Sequence, residues 1–185
     1  MKLKHGDALI IVDLQRDFCA GGALEVKDAD NIVPVINGLI AEAISAGIPI
    51  VASRDWHPPG HASFREAGGP WPAHCVQGGA GAEFHPDLRL PERAIVVSKG
   101  EAPERDQLSD FDATGLADRL RRLGVRRVLI VGLALDVCVL ETALDAALEG
   151  FETHVWLAAA RALTAEGARI AVEKMRKANV VIEED

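Results

Sequence analysis

The chain has 185 residues, 49% of them hydrophobic and 26% charged, which suits a single globular domain spanning residues 1–185. Its net charge of −8 argues against nucleic acid and anionic membrane surfaces as partners, because both bind cationic faces. No apolar stretch approaches the roughly 20 residues of a membrane span, and the N-terminal residues lack a signal-peptide pattern, so we expect a cytoplasmic location. The chain has three cysteines, which cannot all pair with one another, and thiols in the cytoplasm normally stay reduced. A disulfide framework is therefore not expected.

Short β-branched segments alternate with helical patterns along the chain. Strands are predicted near residues 8–13, 48–54, 94–98, 126–132, 153–157 and 179–183, and helices near 31–46, 112–123, 138–149 and 164–177. This alternation is typical of an α/β protein in which helices cover both faces of a parallel sheet. We therefore predict a three-layer α-β-α fold with a mostly parallel six-stranded sheet.

Helix-capping residues support these boundaries. Gly47, Gly124 and Gly150 follow the first three predicted helices, in the position that favours a left-handed C-terminal cap. Asp112 and Thr164 are the predicted N-caps of the second and fourth helices.

Residues 55–93 form the longest departure from the alternation. They hold six of the nine prolines, four of the six histidines and two of the three tryptophans. A loop of this length in a compact domain is usually functional. The alternative is a floppy surface insertion, but such insertions are rarely so rich in histidine and tryptophan.

Three side chains in this segment form a candidate metal site. Asp55 and His57 lie at positions i and i+2 directly after a predicted strand and so point to the same side. With His74 they make a 2-His-1-carboxylate set that suits Zn, Mn or Fe(II). His61 and Ser63 are candidates for a further contribution, directly or through water. An isolated loop histidine is more often a surface residue, and only the trio together favours a metal-binding loop at about 55–93.

Cys138 is the candidate nucleophile. It follows the apolar strand segment 128–133 and begins the helical run 138–149. There its sulfur is near free N–H groups of a helix N-terminus, which favour thiolate over thiol. The turn before it places the backbone N–H groups of Ala134 and Cys138 where they can face the oxyanion of an acyl transfer. A tight turn of this kind is also a typical place for a cis non-proline peptide.

Asp13 and Lys99 end two other predicted strands. If the strands are parallel, their carboxyl ends converge with Cys138 on one crevice. The carboxylate would take the thiol proton and return it to a leaving amine, and the ammonium would lower the thiol pKa and stabilise ionised sulfur. Taken singly, Lys99 fits equally well as a lysine that extends into solvent at a strand end, and Asp13 as a turn or cap residue.

These motifs together resemble the nicotinamidase branch of the isochorismatase-like hydrolase superfamily, over nearly the whole chain. The matching stretches are DLQRDFCAGGAL (13–24), SRDWHPPGHASF (53–64), WPAHCVQGGAGAEFHPDL (71–88), KG (99–100) and GLALDVCV (132–139).

The resemblance implies roles for particular residues. They are a catalytic triad of Asp13, Lys99 and Cys138, the metal ligands Asp55, His57 and His74, the aromatic walls Phe18 and Trp71, an oxyanion hole from the Ala134 and Cys138 amides, and a cis Leu133–Ala134 peptide. It also implies a cytoplasmic hydrolase with one divalent metal ion, zinc first and manganese or iron next, that acts on nicotinamide in NAD salvage and opens related amides such as pyrazinamide. Relatives of this kind are often homo-oligomers.

The chain departs from the family pattern at several positions. Leu135 stands where the family usually has threonine, and Val137 where histidine or tyrosine is common. The segments EAPERDQLSDF (101–111) and WLAAARAL (156–163) also differ from the usual sequences. None of these changes touches the triad or the metal trio, but they alter the expected pocket walls and subunit surface.

Two other hypotheses stay open. One is a related hydrolase that acts on another small amide or carbonyl compound. The other is a non-catalytic metal-binding protein that keeps the fold as a scaffold, since a fold alone does not fix function. The intact triad argues against the scaffold, and the metal trio argues against much of the related-hydrolase hypothesis.

Overall fold

Six apolar segments form one sheet in the computed structural model, which describes residues 2–184. The strands are β1 (Asp7–Val12), β2 (Ile50–Asp55), β3 (Ile95–Lys99), β4 (Arg127–Leu133), β5 (Glu152–Arg161) and β6 (Val181–Glu183). The α-helices are α1 (Val33–Ala46), α2 (Leu116–Arg122), α3 (Cys138–Leu148) and α4 (Ala165–Lys177). All strand pairs within this sheet are parallel. The predicted α/β class with a six-stranded sheet is confirmed.

Side chains of β1 show why the sheet needs a helical layer on each face. Every residue of β1 is buried. Leu9 and Ile11 pack in one core cluster with the apolar face of α1, whereas Ala8 and Ile10 pack in the other with residues of α2, α3 and α4. Because successive strand residues point to opposite faces, a strand that is apolar throughout must be covered twice.

The strand order is β3-β2-β1-β4-β5-β6. The chain starts at the centre, runs outward to β3, and returns to the other side of β1 with β4. Ligands bind outside the carboxyl ends of such strands, at the point where the order reverses. Here the carboxyl ends of β3, β2, β1 and β4 lie side by side, and the register pairs Asp55 directly with Lys99.

Most predicted element ends are within a few residues of the observed ones, and α2 is the main exception. It begins at Leu116 after Gly115, which occupies the N-cap position, so the prediction of Asp112 as N-cap is wrong. The Asp112 carboxylate instead accepts hydrogen bonds from the Arg105 guanidinium. The Thr164 hydroxyl does cap α4, by accepting from the Gly167 N–H at 2.9 Å.

The glycines after the first three helices adopt left-handed backbone conformations, as predicted. Their φ angles are +67° at Gly47, +73° at Gly124 and +86° at Gly150. Strand β5 runs further than predicted, to Arg161, past a register shift against β4.

The crossover between β2 and β3 contains short 3₁₀ turns and folds back onto the sheet. Isolated bridges join His57 to Val76 and Phe64 to Trp71. Phe64 and Cys75 are fully buried or nearly so. Such a segment is anchored to the protein, in contrast to the floppy insertion considered as the alternative. No helix within residues 2–184 has the length and apolar character to cross a membrane.

Gly132 offers a test of how tightly β1 and β4 approach. Its φ is +115°, and a Cβ there would lie 2.1 Å from the Val12 carbonyl oxygen. We expect Gly132→Ala to lower the free energy of unfolding by about 4 kcal/mol or more. Urea unfolding measures this change. The matched control is Gly38→Ala in α1, where a new Cβ meets nothing within 4 Å. The higher helix propensity of alanine should raise the free energy of unfolding of this control by roughly 0.5–1 kcal/mol. A Gly132→Ala protein as stable as the wild type would contradict the observed strand approach.

Candidate active site

The three predicted triad residues meet at the carboxyl ends of three strands. Asp13 directly follows β1, Lys99 is the last residue of β3, and Cys138 is the first residue of α3. The Lys99 Nζ lies 2.6 Å from Asp13 Oδ2 and donates to Cys138 Sγ at 3.4 Å. All three side chains are buried, with exposures of 0%, 0% and 5%. Convergence of the strand ends, predicted from the sequence, is therefore seen directly.

The Asp13 carboxylate is oriented by Ser53 on β2. The Ser53 hydroxyl donates to Asp13 Oδ1 at 2.8 Å and accepts from the Asp13 backbone N–H at 3.2 Å. With Oδ1 held in this way, Asp13 Oδ2 faces the ammonium of Lys99. Burial raises the pKa of the Asp13 carboxyl, although Lys99 opposes the effect. A buried carboxylate with a raised pKa is a stronger base than an ordinary aspartate.

Lys99 also contacts Asp55, a pairing that was not predicted. Its ammonium lies between the two carboxylates of Asp13 and Asp55. Burial works against the charged ammonium, yet the two carboxylates hold the pKa of Lys99 well above its usual range. Burial likewise opposes ionisation of Asp55, but Lys99 holds its pKa well below the usual range. The result is a buried charge cluster in which Lys99 and Asp55 favour their ionised forms.

The protonation state of Cys138 differs from the prediction. Burial raises the pKa of the thiol well above its usual range, and Lys99 only partly offsets the rise. Burial thus favours the thiol over the thiolate that we predicted from the helix N-terminus and the nearby cation. The resting thiol needs a base, and a carboxylate oxygen of Asp13 lies within 4.8 Å of Cys138 Sγ.

The predicted metal ligands Asp55, His57 and His74 form one buried group. One potential ligand atom from each lies within 4.8 Å of the others. Asp55 Oδ2 is 3.6 Å from His57 Nε2 and 3.7 Å from His74 Nε2. Each histidine has Nδ1 on a backbone carbonyl, of Gly100 and Pro72 respectively. That contact fixes the proton on Nδ1 and turns the Nε2 lone pair toward the carboxylate. The donor set therefore fits a divalent transition-metal ion.

His61 and Ser63 lie behind this group. His61 Nδ1 is 2.8 Å from Ser63 Oγ, and its Nε2 is 3.1 Å from the Arg105 carbonyl oxygen. The His61 ring stacks on His57 with centroids 4.3 Å apart. Both ring nitrogens of His61 thus already contact protein atoms, so its observed role is to pack His57 in place.

The turn before Cys138 contains the cis peptide Leu133–Ala134. Within residues 2–184, neither the Ala134 nor the Cys138 backbone N–H donates to a protein acceptor. The Ala134 carbonyl, in contrast, accepts from the N–H groups of Val137 and Val139. Two free amides beside the sulfur are the donors that an oxyanion requires.

An apolar cavity opens in front of the cysteine and the metal donors. Phe18 and Trp71 both line it, as the resemblance implied. Further lining comes from Leu24, Val26, Asp106, Leu108, Ala134, Val137 and Leu163. This combination of apolar walls and a few convergent polar groups is typical of a site for a small, flat ligand.

The isochorismatase domain model matches residues 7–184, nearly the entire chain. The chain belongs to the isochorismatase family.

Individual members of the isochorismatase family resemble this chain closely. The nicotinamidase of Escherichia coli is 41% identical over 169 residues, which cover 80% of this chain and 79% of the relative. The pyrazinamidase of Pyrococcus horikoshii, solved in complex with zinc, superposes with a TM-score of 0.94 at 46% identity and covers 97% of this chain and 99% of its own. PnC1 from L. infantum, solved with nicotinate, superposes with a TM-score of 0.91 at 38% identity and covers 100% of this chain and 96% of its own.

The two departures from the family pattern near the nucleophile have different positions. Val137 lines the cavity, whereas Leu135 is 6% exposed and packs in the core cluster with α2, α3 and α4. Leu108 and Leu163, from the two divergent segments, also line the cavity. The changed walls of this isochorismatase-family pocket are therefore Asp106, Leu108, Val137 and Leu163.

Two polar residues at the site were missed in the sequence. Ser53 was predicted only as part of strand 48–54, yet a buried serine inside an apolar strand was a signal for a polar partner. Asp110 lies in the divergent segment 101–111, is 0% exposed, and is one of the charged groups that act on Lys99. Nothing in its local sequence distinguishes it from a solvated acid.

Proposed function

We propose that this protein is a metal-assisted cysteine amidohydrolase that converts nicotinamide to nicotinate and ammonia through a thioester on Cys138. The observation that carries the proposal is that the candidate catalytic residues contact the candidate metal ligands. The Asp13–Lys99–Cys138 cluster shares Lys99 with the metal-ligand set through Asp55, and both face one aromatic-walled cavity. Similarity to nicotinamidases and pyrazinamidases over most of the chain supports the substrate class.

The first half-reaction forms the thioester. Asp13 removes the proton from Cys138 as the sulfur attacks the amide carbon, and Lys99 stabilises the negative charge that develops on sulfur. The amides of Ala134 and Cys138 donate to the tetrahedral oxyanion. When the C–N bond breaks, Asp13 returns its proton to the leaving nitrogen, and ammonia departs.

The second half-reaction hydrolyses the thioester. Asp13, ionised again, takes a proton from water as the water oxygen attacks the acyl carbon. The C–S bond breaks, the sulfur recovers a proton from Asp13, and the product leaves as nicotinic acid, which loses its remaining proton to water and becomes nicotinate. Over the cycle one water is consumed, and Asp13 and Cys138 return to their starting states.

Asp55, His57 and His74 would hold the divalent ion. When bound, the ion supplies a Lewis acid that anchors and polarises the pyridine nitrogen of the substrate. Zinc is the proposed occupant, with manganese or iron as alternatives, because two imidazoles and a carboxylate suit all three. The zinc complex of the Pyrococcus horikoshii relative supports this choice.

We also propose that the enzyme is cytoplasmic, that it acts in NAD salvage and that it hydrolyses pyrazinamide as well. The three cysteines are free thiols, the form that a reducing compartment maintains. A homo-oligomer and the lack of nucleic-acid or membrane partners remain part of the same proposal, on the grounds of family resemblance and net charge.

Metal removal tests the function. Zinc-loaded protein is expected to release ammonia and nicotinate from nicotinamide in equal amounts, and chelation should lower kcat/KM at least about 100-fold because the ring is no longer anchored. Adding zinc back should restore the rate. His74→Ala should mimic chelation, whereas the control His85→Ala, whose imidazole contacts Asp30 outside the site, should retain the zinc-dependent rate. Zinc-loaded protein that releases no ammonia from nicotinamide would overturn the proposal.

A further inference from the structure

Gln15 is a buried amide beside the metal ligands that the mechanism above does not use. Its side chain is 0% exposed and follows the end of β1. The amide nitrogen donates to the Asp55 carbonyl oxygen at 2.8 Å and to the Ala82 carbonyl oxygen at 3.0 Å. The amide oxygen accepts from the Asp55 N–H at 2.8 Å. Both donor positions of the amide are thus used, and two of its three bonds go to Asp55.

The Gln15 amide takes the place of strand backbone at this point of the sheet. The register between β1 and β2 ends with the pair Ile11–Ala52, three residues before Asp55. Beyond that pair the chain leaves β1 through Asp13, whose φ is +45°. The N–H and the carbonyl of Asp55 bond to the Gln15 side chain instead of to a neighbouring backbone. One side chain therefore supplies the donor and the acceptor that a longer β1 would have supplied.

Strand β3 holds Asp55 from its other side. The register pairs Asp55 with Lys99, whose carbonyl oxygen accepts from the Trp56 N–H at 2.9 Å. The backbone of Asp55 is thus fixed by a strand on one side and by the Gln15 amide on the other. Only the second support belongs to a side chain, so a substitution can remove it while the strand pairing stays.

The position of Asp55 matters because its carboxylate has two partners in different directions. Oδ1 contacts the Lys99 ammonium, and Oδ2 lies 3.6 Å from His57 Nε2 and 3.7 Å from His74 Nε2. A shift of the Asp55 backbone would move both oxygens at once. Groups that hold a metal ligand from behind typically contribute roughly 10–100-fold to metal affinity.

The third bond of the amide joins it to the crossover between β2 and β3, through Ala82. Backbone contacts connect the same two segments. An isolated antiparallel bridge pairs Gln15 with Phe84, and the Arg16 N–H donates to the Glu83 carbonyl oxygen at 2.9 Å. These contacts do not need the side chain. A variant without the amide should therefore keep the local fold.

We propose that Gln15 is a positioning residue of the metal site, whose amide fixes the backbone of Asp55 so that one carboxylate serves the metal ion and Lys99 together. The inference rests on the proposed function, because it takes Asp55, His57 and His74 as the metal ligands. Without the amide, two buried carbonyls and one buried N–H lose their partner, and such groups are costly to leave unpaired. The backbone would shift to satisfy them, and Asp55 would shift with it.

The zinc affinity of metal-free protein tests the inference without turnover. Gln15→Met keeps a side chain of similar length but removes the amide. It should raise the Kd for zinc, measured by competition with a chelating dye, roughly 10-fold or more. A Gln15→Met protein with the zinc Kd of the wild type would overturn the inference.

The matched control is Asn37→Leu in α1. The Asn37 amide also bonds in both senses, because it donates to the Asp87 carbonyl oxygen and accepts from the Arg89 N–H, both at 2.9 Å. None of these three residues lines the cavity. Loss of this amide should leave the zinc Kd unchanged. An equal rise of the Kd in Asn37→Leu and Gln15→Met would overturn the inference, since the effect would then not depend on Asp55.

Circular dichroism of each metal-free protein checks that it is folded before the titration. If Gln15→Met does not fold, Gln15→Asn takes its place. The asparagine amide is one carbon shorter and cannot bond to both backbone groups of Asp55 in their observed positions. The same rise of the zinc Kd is expected, and a wild-type Kd would again overturn the inference.

The two proposals fail in different ways. Zinc-loaded wild type that hydrolyses no nicotinamide overturns the proposed function, and the zinc titrations still decide the role of Gln15. Nicotinamide turnover by the wild type, together with equal zinc Kd values in wild type and Gln15→Met, leaves the function intact and overturns the role of Gln15.

Discussion

Cys138→Ala is expected to lower kcat for nicotinamide by roughly 10⁵-fold, because neither Cys19 nor Cys75 lines the cavity. The sulfur of Cys138 is the atom that contacts Lys99 and has Asp13 within reach, and loss of a nucleophile removes the whole covalent route. The side chain is buried but small, so the protein should remain folded. The measurement is nicotinate formation by zinc-loaded protein, followed chromatographically.

Cys19→Ala is the matched control for the loss of a buried thiol. Cys19 packs in the core cluster with α1, and burial raises its pKa to about 12, so it is not a nucleophile at neutral pH. We expect the kcat of the Cys19→Ala protein to stay within a few-fold of the wild-type value. A Cys138→Ala protein that keeps more than a small percentage of wild-type activity would contradict covalent catalysis at this residue.

Lys99→Met is expected to damage both activity and stability. The methionine side chain fills a similar volume but leaves Asp13 and Asp55 as buried carboxylates without their shared cation. Removal of one member of a buried ionic cluster costs roughly 3–5 kcal/mol of unfolding free energy. Loss of the charge that stabilises ionised sulfur should lower kcat about 10³-fold. Urea unfolding of metal-free protein and steady-state kinetics of zinc-loaded protein measure the two effects.

The control for Lys99→Met is Lys177→Met, at the exposed end of α4. It removes the same charge from the chain, and its unfolding free energy should change by no more than about 0.5 kcal/mol. Equal stabilities of Lys99→Met and wild type would mean that the two carboxylates do not depend on the ammonium, and the charge cluster would then be wrong as described.

The location of the site was predictable because strand ends are visible in sequence. Asp13, Lys99 and Cys138 each follow an apolar run, and parallel pairing brings such ends together. The pairing of Asp55 with Lys99 was not predictable, since it depends on the register of β2 against β3. Sequence reveals which residues end strands but not which of them face each other.

Electrostatics and local caps were less predictable than topology. The thiol pKa of Cys138 was expected to be low from its helix and its cation, but burial of the sulfur raises it and Lys99 only partly offsets the rise. Asp112 is not the cap because α2 begins at Leu116, after Gly115, and the Asp112 carboxylate binds Arg105 instead. Asp110 acquires its environment from three strands and α3, so no local pattern indicates that it is buried.

The bond between Cys138 and a nicotinoyl carbon is the central claim, and NMR with nicotinaldehyde labelled with ¹³C at the carbonyl tests it most directly. The aldehyde places the same carbonyl carbon in the cavity, where attack by sulfur gives a stable thiohemiacetal. We expect zinc-loaded wild type to show the tetrahedral carbon signal of this adduct, and Cys138→Ala to bind the aldehyde without it. A wild-type complex in which the aldehyde is bound but its carbon stays unbonded to sulfur would contradict the account.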